Sequence, residues 1–391
     1  MIDRRLKQIR LAQGLSLDQL VARMDGFVTK QALSKYERGK AKPTPVVLNR
    51  LASALGVKAA HLWAEPSVNC SFIAYRKGSG LAKQEQARVE AVVCRMLEER
   101  IRLREILQEP ARENLPVQNL RMVRLEDAEH LAKELRHQWG AGLEPVANLT
   151  ATLEDHCVYV MEIEAGEKFD GLAAVARDAD DNPAAAAVVS RKSLAGERQR
   201  LNLAHELAHL VLDVPDAVDE EKAAFRFAGA FLAPDETLYR EVGRKRAFVQ
   251  LEELILLKQR FGMSLQALVY RLHDLEIISD AHYRRWFMDI NRLHWKKKEP
   301  CELPPEQPQW LKKSVLRAVA EGLLTEVEGK NMLGETVTGR EPLSLIERRA
   351  FMKLPLEERR NIMAHQAREI ASHYASEVAK EELETGDIVE Y

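Results

Sequence analysis

The sequence predicts a mainly α protein with one small β-sheet, an α+β chain, and three observations carry that expectation. The first 65 residues read as four or five short helices separated by turn residues. Three short runs between Cys157 and Val189 have strand character. The segments that follow read as helices, and the first of them, Leu203-Ala204-His205-Glu206-Leu207-Ala208-His209-Leu210-Val211-Leu212, is apolar nearly all round. The resulting division is a head, 1–65; a helical connector, 66–144; a central domain, 145–300; and a helical C-terminal region, 301–391.

Composition supports a folded chain of several domains. It has 391 residues, 46% hydrophobic and 30% charged, the balance of an ordinary globular protein of two to four domains. It holds no run of 18 apolar residues and does not start with a secretion signal, so a cytoplasmic protein outside the membrane is expected. Cys70, Cys94, Cys157 and Cys301 are far apart and form no CxxC pair, which reads as reduced thiols. Net charge is −2, but residues 1–62 hold twelve Lys/Arg against four acids, a surplus of +8 that leaves −10 for the rest. A basic head on an acidic body suits binding to a polyanion.

In the head, Leu6–Gln13 is amphipathic and ends at Gly14. Ser16 can cap Leu17–Met24, Asp25-Gly26 makes a turn, and Thr29 can cap Lys30–Arg38, which stops at Gly39. Pro43-Thr44-Pro45 opens a fourth helix, Val46–Leu55. Two short helices joined by a tight turn, the second polar and basic, describe a helix-turn-helix. The pieces LKQIRLAQGLSLDQLV, ALSKYERGKAKPT and LASALGV resemble the Xre/Cro-like helix-turn-helix repressors over this whole domain. The resemblance implies an operator in double-stranded DNA, with Lys30, Gln31, Ser34 and Lys35 facing the major groove and Thr29 and Arg38 near phosphates. Gln31 is suited to adenine and Lys30 or Lys35 to guanine or phosphate. Leu33, Tyr36, Leu48, Leu51 and Leu55 read as core, and a homodimer on two half-sites is expected.

The connector contains a long charged helix, Leu81–Leu107, with a narrow apolar stripe that includes Val89, Val93, Leu97 and Ile101. It serves either as a dimerisation arm or as a helix packed on the following domain. A second helix runs from about Leu125 to Trp139.

The central domain places strands at Cys157–Ile163, Leu172–Ala176 and Ala184–Val189, with Asp170-Gly171 as a turn. In the helix that follows, His205 and His209 share a face because 3.6 residues per turn brings positions four apart into register. This is the HExxH spacing: two neutral imidazoles hold Zn2+, and Glu206 beside them takes a proton from the attacking water. A third protein ligand is needed. Leu212 and Pro215 stand where a metzincin would have glycine and histidine, so the ligand is a later carboxylate among Asp213, Asp216, Asp219, Glu220 and Glu221. The segments Phe169-Asp170-Gly171, Arg198-Gln199-Arg200, Leu203–His209, Glu221–Ala228 and Phe231–Pro234 resemble the ImmA/IrrE metallopeptidases, often joined to an Xre head. The resemblance covers about 145–300 and selects Glu221 as the third ligand, with Glu220 as the fallback. Ala208 stands where that family often has glycine. Arg200 could orient a carboxylate or a substrate carbonyl, or make a surface ion pair, and Tyr159, Tyr239 and His273 are candidate oxyanion donors.

In the C-terminal region Pro304-Pro305-Glu306-Gln307-Pro308 reads as a linker, Trp310–Gly322 and Thr325–Met332 as helices, and Leu354–Ser376 as a further helix. Residues 377–391 carry six acids and one base, and LPLEERRNIMAHQA with the later HY and GDIVEY resembles the tail of small bacterial antitoxins. The expected protein is thus a DNA-binding regulator with a zinc metallo-endopeptidase domain that cleaves a partner regulatory protein. The alternative is a non-proteolytic repressor or antitoxin, binding a toxin, whose zinc site is structural or sensory.

Overall fold

The computed structural model describes residues 2–63, 68–73, 81–109, 115–335, 352–361 and 363–364. The acidic stretch 377–391 and most of the helix expected before it lie outside the described residues. The head contains α1 (Ile2–Ala12), α2 (Leu17–Arg23), α3 (Lys30–Glu37), α4 (Pro45–Ala54) and α5 (Ala59–Trp63). The helices start where the sequence supplies caps: Ser16, Thr29 and Thr44 accept from the backbone N–H groups of Gln19, Ala32 and Val47. Leu6, Leu20, Leu33, Leu51 and Leu55 close the core. Part of the positive surplus is used internally, since Arg10 pairs with Glu37 and donates to the Leu15 carbonyl.

A short strand, β1 (Asn69–Phe72), and the long helix α6 (Lys83–Ile106) follow. One side of α6 meets α1, with an ion pair from Arg5 to Glu98. The stripe Val89, Val93, Leu97 and Ile101 packs on the central sheet. Of the two expectations for this helix, packing on the next domain is the one the fold shows. The expectation of four reduced thiols is corrected: Cys70 on β1 and Cys94 on α6 are paired, Cα to Cα 5.9 Å, within the usual reach of a disulfide, while Cys157 and Cys301 are free.

The central domain runs β2 (Leu120–Arg121), α7 (Asp127–Gln138), α8 (Leu149–Asp155), β3 (Val158–Ile163), β4 (Gly171–Arg177), β5 (Pro183–Arg191), α9 (Gly196–Val211) and β6 (Leu212–Asp213). It continues with α10 (Glu220–Leu232), α11 (Asp235–Val242), α12 (Leu251–Phe261), α13 (Leu265–Asp274) and α14 (Asp280–Arg292), and α15 (Trp310–Ala320) and α16 (Glu326–Leu333) complete the described elements. The larger sheet has the order β1-β4-β5-β3, with β3 parallel to β5 and β4 antiparallel to both β1 and β5. Both of its faces are covered, so its strands read as near-continuous apolar runs. Val160, Ala173, Val175 and Val188 join the core around α9 and α10, while Met161, Leu172, Ala174 and Val189 join the one under α6.

The start of α9 is fixed by a strap that the sequence reading treated as a linker. The Gly196 N–H donates to the Leu303 carbonyl at 2.8 Å, and a Cβ at Gly196 would collide with the Pro304 backbone. Gln199 exchanges hydrogen bonds with the Glu306 backbone, 2.8 Å each way. Arg200 is buried, paired with Glu306 and donating to the Val146 carbonyl, so it is neither a surface ion pair nor a substrate ligand. Beneath them Lys258, with no exposed surface, bonds Glu197 at 2.6 Å and Glu299 at 2.9 Å. Removing one member of a buried charge group leaves the others uncompensated. Lys258→Met should therefore lower stability by about 3–5 kcal/mol in urea titrations, and unchanged stability would contradict this account of the helix start.

Candidate metal centre

The HExxH segment forms the C-terminal half of α9, and α10 crosses it so that Glu221, in the first turn of α10, meets the two histidines. Asp219 caps α10 by accepting from the Lys222 N–H at 3.1 Å, which fixes the position of that turn. His205 Nε2 lies 3.1 Å from His209 Nε2 and 3.4 Å from Glu221 Oε2, and His209 Nε2 lies 3.7 Å from Glu221 Oε1. Ligands on a tetrahedral ion at ~2.1 Å stand about 3.4 Å apart. The three groups thus fit Zn2+ in both donor type and spacing, and they form the one such cluster among the described residues.

The residues around the cluster are distinct in role. Glu220, the fallback ligand, contacts the other nitrogen of His209, Nδ1, at 3.2 Å. It therefore orients the imidazole, leaving Nε2 for the ion. Burial, and then the neighbouring His205, lower the pKa of His209, favouring the neutral ligand form. The hydrogen bond from His205, then the charges of the two histidines, hold the Glu221 carboxyl below its usual range. Glu206 is buried, and its Oε2 and the Nδ1 of His205 have no hydrogen-bond partner. Burial, followed by the charges of Glu221 and Asp170, pushes the Glu206 carboxyl up to about 8. A nearby dication would reverse the charge effect and favour the carboxylate.

Two residues to which the sequence assigned no part in the site, Gly171 and Phe225, stand against it. Gly171 begins β4 against the carboxyl of Glu206: a Cβ there would stand 2.9 Å from both Glu206 Oε1 and the Val189 carbonyl. That close approach explains the glycine in the Phe169-Asp170-Gly171 turn. The Phe225 ring, half exposed, lies 4.2 Å from the His205 ring, where it flanks a cavity of about 840 Å³. The three candidate oxyanion donors do not converge on the cluster. Tyr159 packs with Trp310 on the α6 face of the sheet, Tyr239 donates to the Leu275 carbonyl, and His273 pairs with Asp280.

In the head, Lys30, Gln31, Lys35 and Arg38 are exposed on α3 and its end, and Ser34 is half-buried. Lys30 pairs with Asp18 at 2.6 Å, Arg38 bonds Ser34, and Thr29 serves as the helix cap.

Comparison with known families agrees with both halves. The helix-turn-helix family pattern matches residues 6–62, and the IrrE N-terminal-like domain of a peptidase family matches residues 154–273. The chain joins these two domains. It has the make-up of a DNA-binding regulator with a peptidase-like domain. No curated protein matches it. No helix among the described residues is long and apolar enough to cross a membrane.

Two outcomes test the site. Glu221→Ala should abolish zinc retention, whereas Glu220→Gln should retain zinc with affinity lowered roughly 10- to 100-fold, as for other residues that orient a ligand; competition with a chromogenic chelator measures both. In the metal-free chain, Glu206 keeps a proton from pH 4.5, its ordinary value, to about 8, a window in which the unfolded chain has released it. Stability should fall as pH rises through that window, and Glu206→Gln should remove this part of the slope in urea titrations at pH 5 and 8.5.

Proposed function

We propose that the chain is an operator-binding regulator whose central domain is a zinc endopeptidase acting on a partner regulatory protein. The observation that carries the reading is the convergence of His205, His209 and Glu221 beside the buried, unpartnered carboxyl oxygen of Glu206. A structural zinc site does not require that carboxyl, whereas hydrolysis requires a base at that place. Zn2+ held there supplies Lewis acidity toward the peptide carbonyl and the attacking water. Glu206 takes the proton from that water and returns it to the amine nitrogen as the C–N bond breaks. The adjoining cavity, with Phe225, Leu201 and Trp295 in its lining, has room for a polypeptide segment and offers apolar surface to hold it.

The head supplies the other activity. Lys30, Gln31, Ser34 and Lys35 are proposed to face the major groove of the operator, with Thr29 and Arg38 at the phosphates and two copies on two half-sites. A head and a protease on one chain allow repression and removal of a regulator to be controlled together.

Co-expression with candidate repressors encoded nearby tests the reading. Wild-type chain should cut one of them, and Glu206→Gln should leave it intact while retaining zinc; equal cleavage by that variant would overturn the proposal. For the head, Gln31→Ala should weaken operator binding by about 1–3 kcal/mol at one base position while leaving nonspecific binding unchanged. Fluorescence anisotropy at fixed salt measures it.

A further inference from the structure

The sheet edge that leads to Glu206 is occupied by the chain itself from Ala173 to Arg177. Strand β4 starts at Gly171, against the Glu206 carboxyl. Its outer edge is the backbone ladder on which an extended peptide could be aligned for hydrolysis, since an exposed strand edge is a template for an added strand. Along this edge β1 pairs antiparallel, Asn69 with Arg177, Cys70 with Ala176, Ser71 with Val175 and Phe72 with Ala174. The Ile73 N–H continues the ladder, donating to the Ala173 carbonyl at 3.0 Å. The direction of β1 is therefore toward Gly171 and the base. Ala173 and Gly171 are two residues apart, roughly 7 Å along the strand.

The side chains follow the same alternation. Phe72 packs with the core under α6, while Ile73 packs with the core around α9 and α10. There Ile73 lines a cavity of about 100 Å³ together with His209, Glu220 and Ala224. It thus reaches the ligand helix on the side where Glu220 orients His209. Asn69 and Ser71 are exposed, while Cys70, bonded to Cys94, and Phe72 are half-buried against the core under α6.

Resting on the peptidase reading, we propose that Asn69–Ile73 is a built-in occupant of the substrate edge, an autoinhibitory strand that a substrate segment displaces once the Cys70–Cys94 bond to α6 is reduced. The strand lies between the head and α6 in the chain, so the element that blocks the edge is also the one that leads to the DNA-binding domain. Sequence alone did not show it, because four residues with two polar positions carry too little periodicity to read as a strand.

The test uses the full chain in a phosphine reductant that opens the Cys70–Cys94 bond, a fluorescein-labelled peptide spanning residues 68–73 with Cys70→Ser as probe, and casein as a generic substrate. Ser71→Pro removes a ladder donor from β1 without touching the metal residues. The variant should bind the peptide about ten-fold more tightly than wild type, the scale of one lost ladder hydrogen bond with its strain. It should also cut casein about ten-fold faster, and Ser71→Pro with Glu206→Gln should not cut at all. Equal peptide binding by wild type and variant overturns the proposal, as does casein cleavage that is present and equal in both. Tighter peptide binding with no cleavage by any form supports the occupied edge and overturns the peptidase reading instead. If circular dichroism shows Ser71→Pro unfolded, Ile73→Ala replaces it under the same outcomes.

Discussion

Burial of α9 on almost every side is the constraint on which the structure depends. Leu203, Ala204, Leu207, Ala208, Leu210 and Val211 have no exposed surface, so the helix lies inside the sheet-and-helix sandwich. A buried helix brings its polar residues into a medium where each must be matched. At its N-terminal end Glu197 is matched by Lys258, and Gln199 and Arg200 by the strap around Glu306. At its C-terminal end, His209 is matched by Glu220, but His205 Nδ1 and Glu206 Oε2 have no partner. Both lie beside the proposed zinc ligands, His205, His209 and Glu221. On α9 the buried polar atoms without a partner are His205 Nδ1 and Glu206 Oε2 at the site and Arg200 Nε at the other end.

This contrast also separates what was legible in the sequence from what was not. The HExxH face follows from helical periodicity, and the caps at Ser16, Thr29 and Thr44 follow from residue type, so the helices of the head and α9 could be located in advance. The strands β3 to β5 were legible as apolar runs. Glu221 was one of five nearby acids on spacing alone; only the family resemblance singled it out, and the crossing of α10 over α9 brings it to the histidines. Gly171 looked like a turn residue because its close contact is with a carboxyl 35 positions later in the chain. The roles of Arg200 and of Pro304–Glu306 were missed for the same reason. Their partners lie about a hundred residues away, and no local pattern encodes such a contact.

The path from head to site is short in structural terms. Helix α1 lies on α6, α6 lies on the sheet, and the sheet carries Gly171 against Glu206. Helix α6 separates the helix-turn-helix head from the strands that shape the surroundings of Glu206. A rearrangement of the head on α6 would reach the sheet face formed by Met161, Leu172 and Val189 without any further domain in between.

The central claim is a zinc centre built from two imidazoles and one carboxylate. X-ray absorption at the zinc edge of the purified chain tests it most directly. The account predicts four light-atom ligands at about 2.0–2.1 Å with the multiple scattering of two imidazoles. Sulfur scattering near ~2.3 Å, or a shell lacking imidazole, would contradict it.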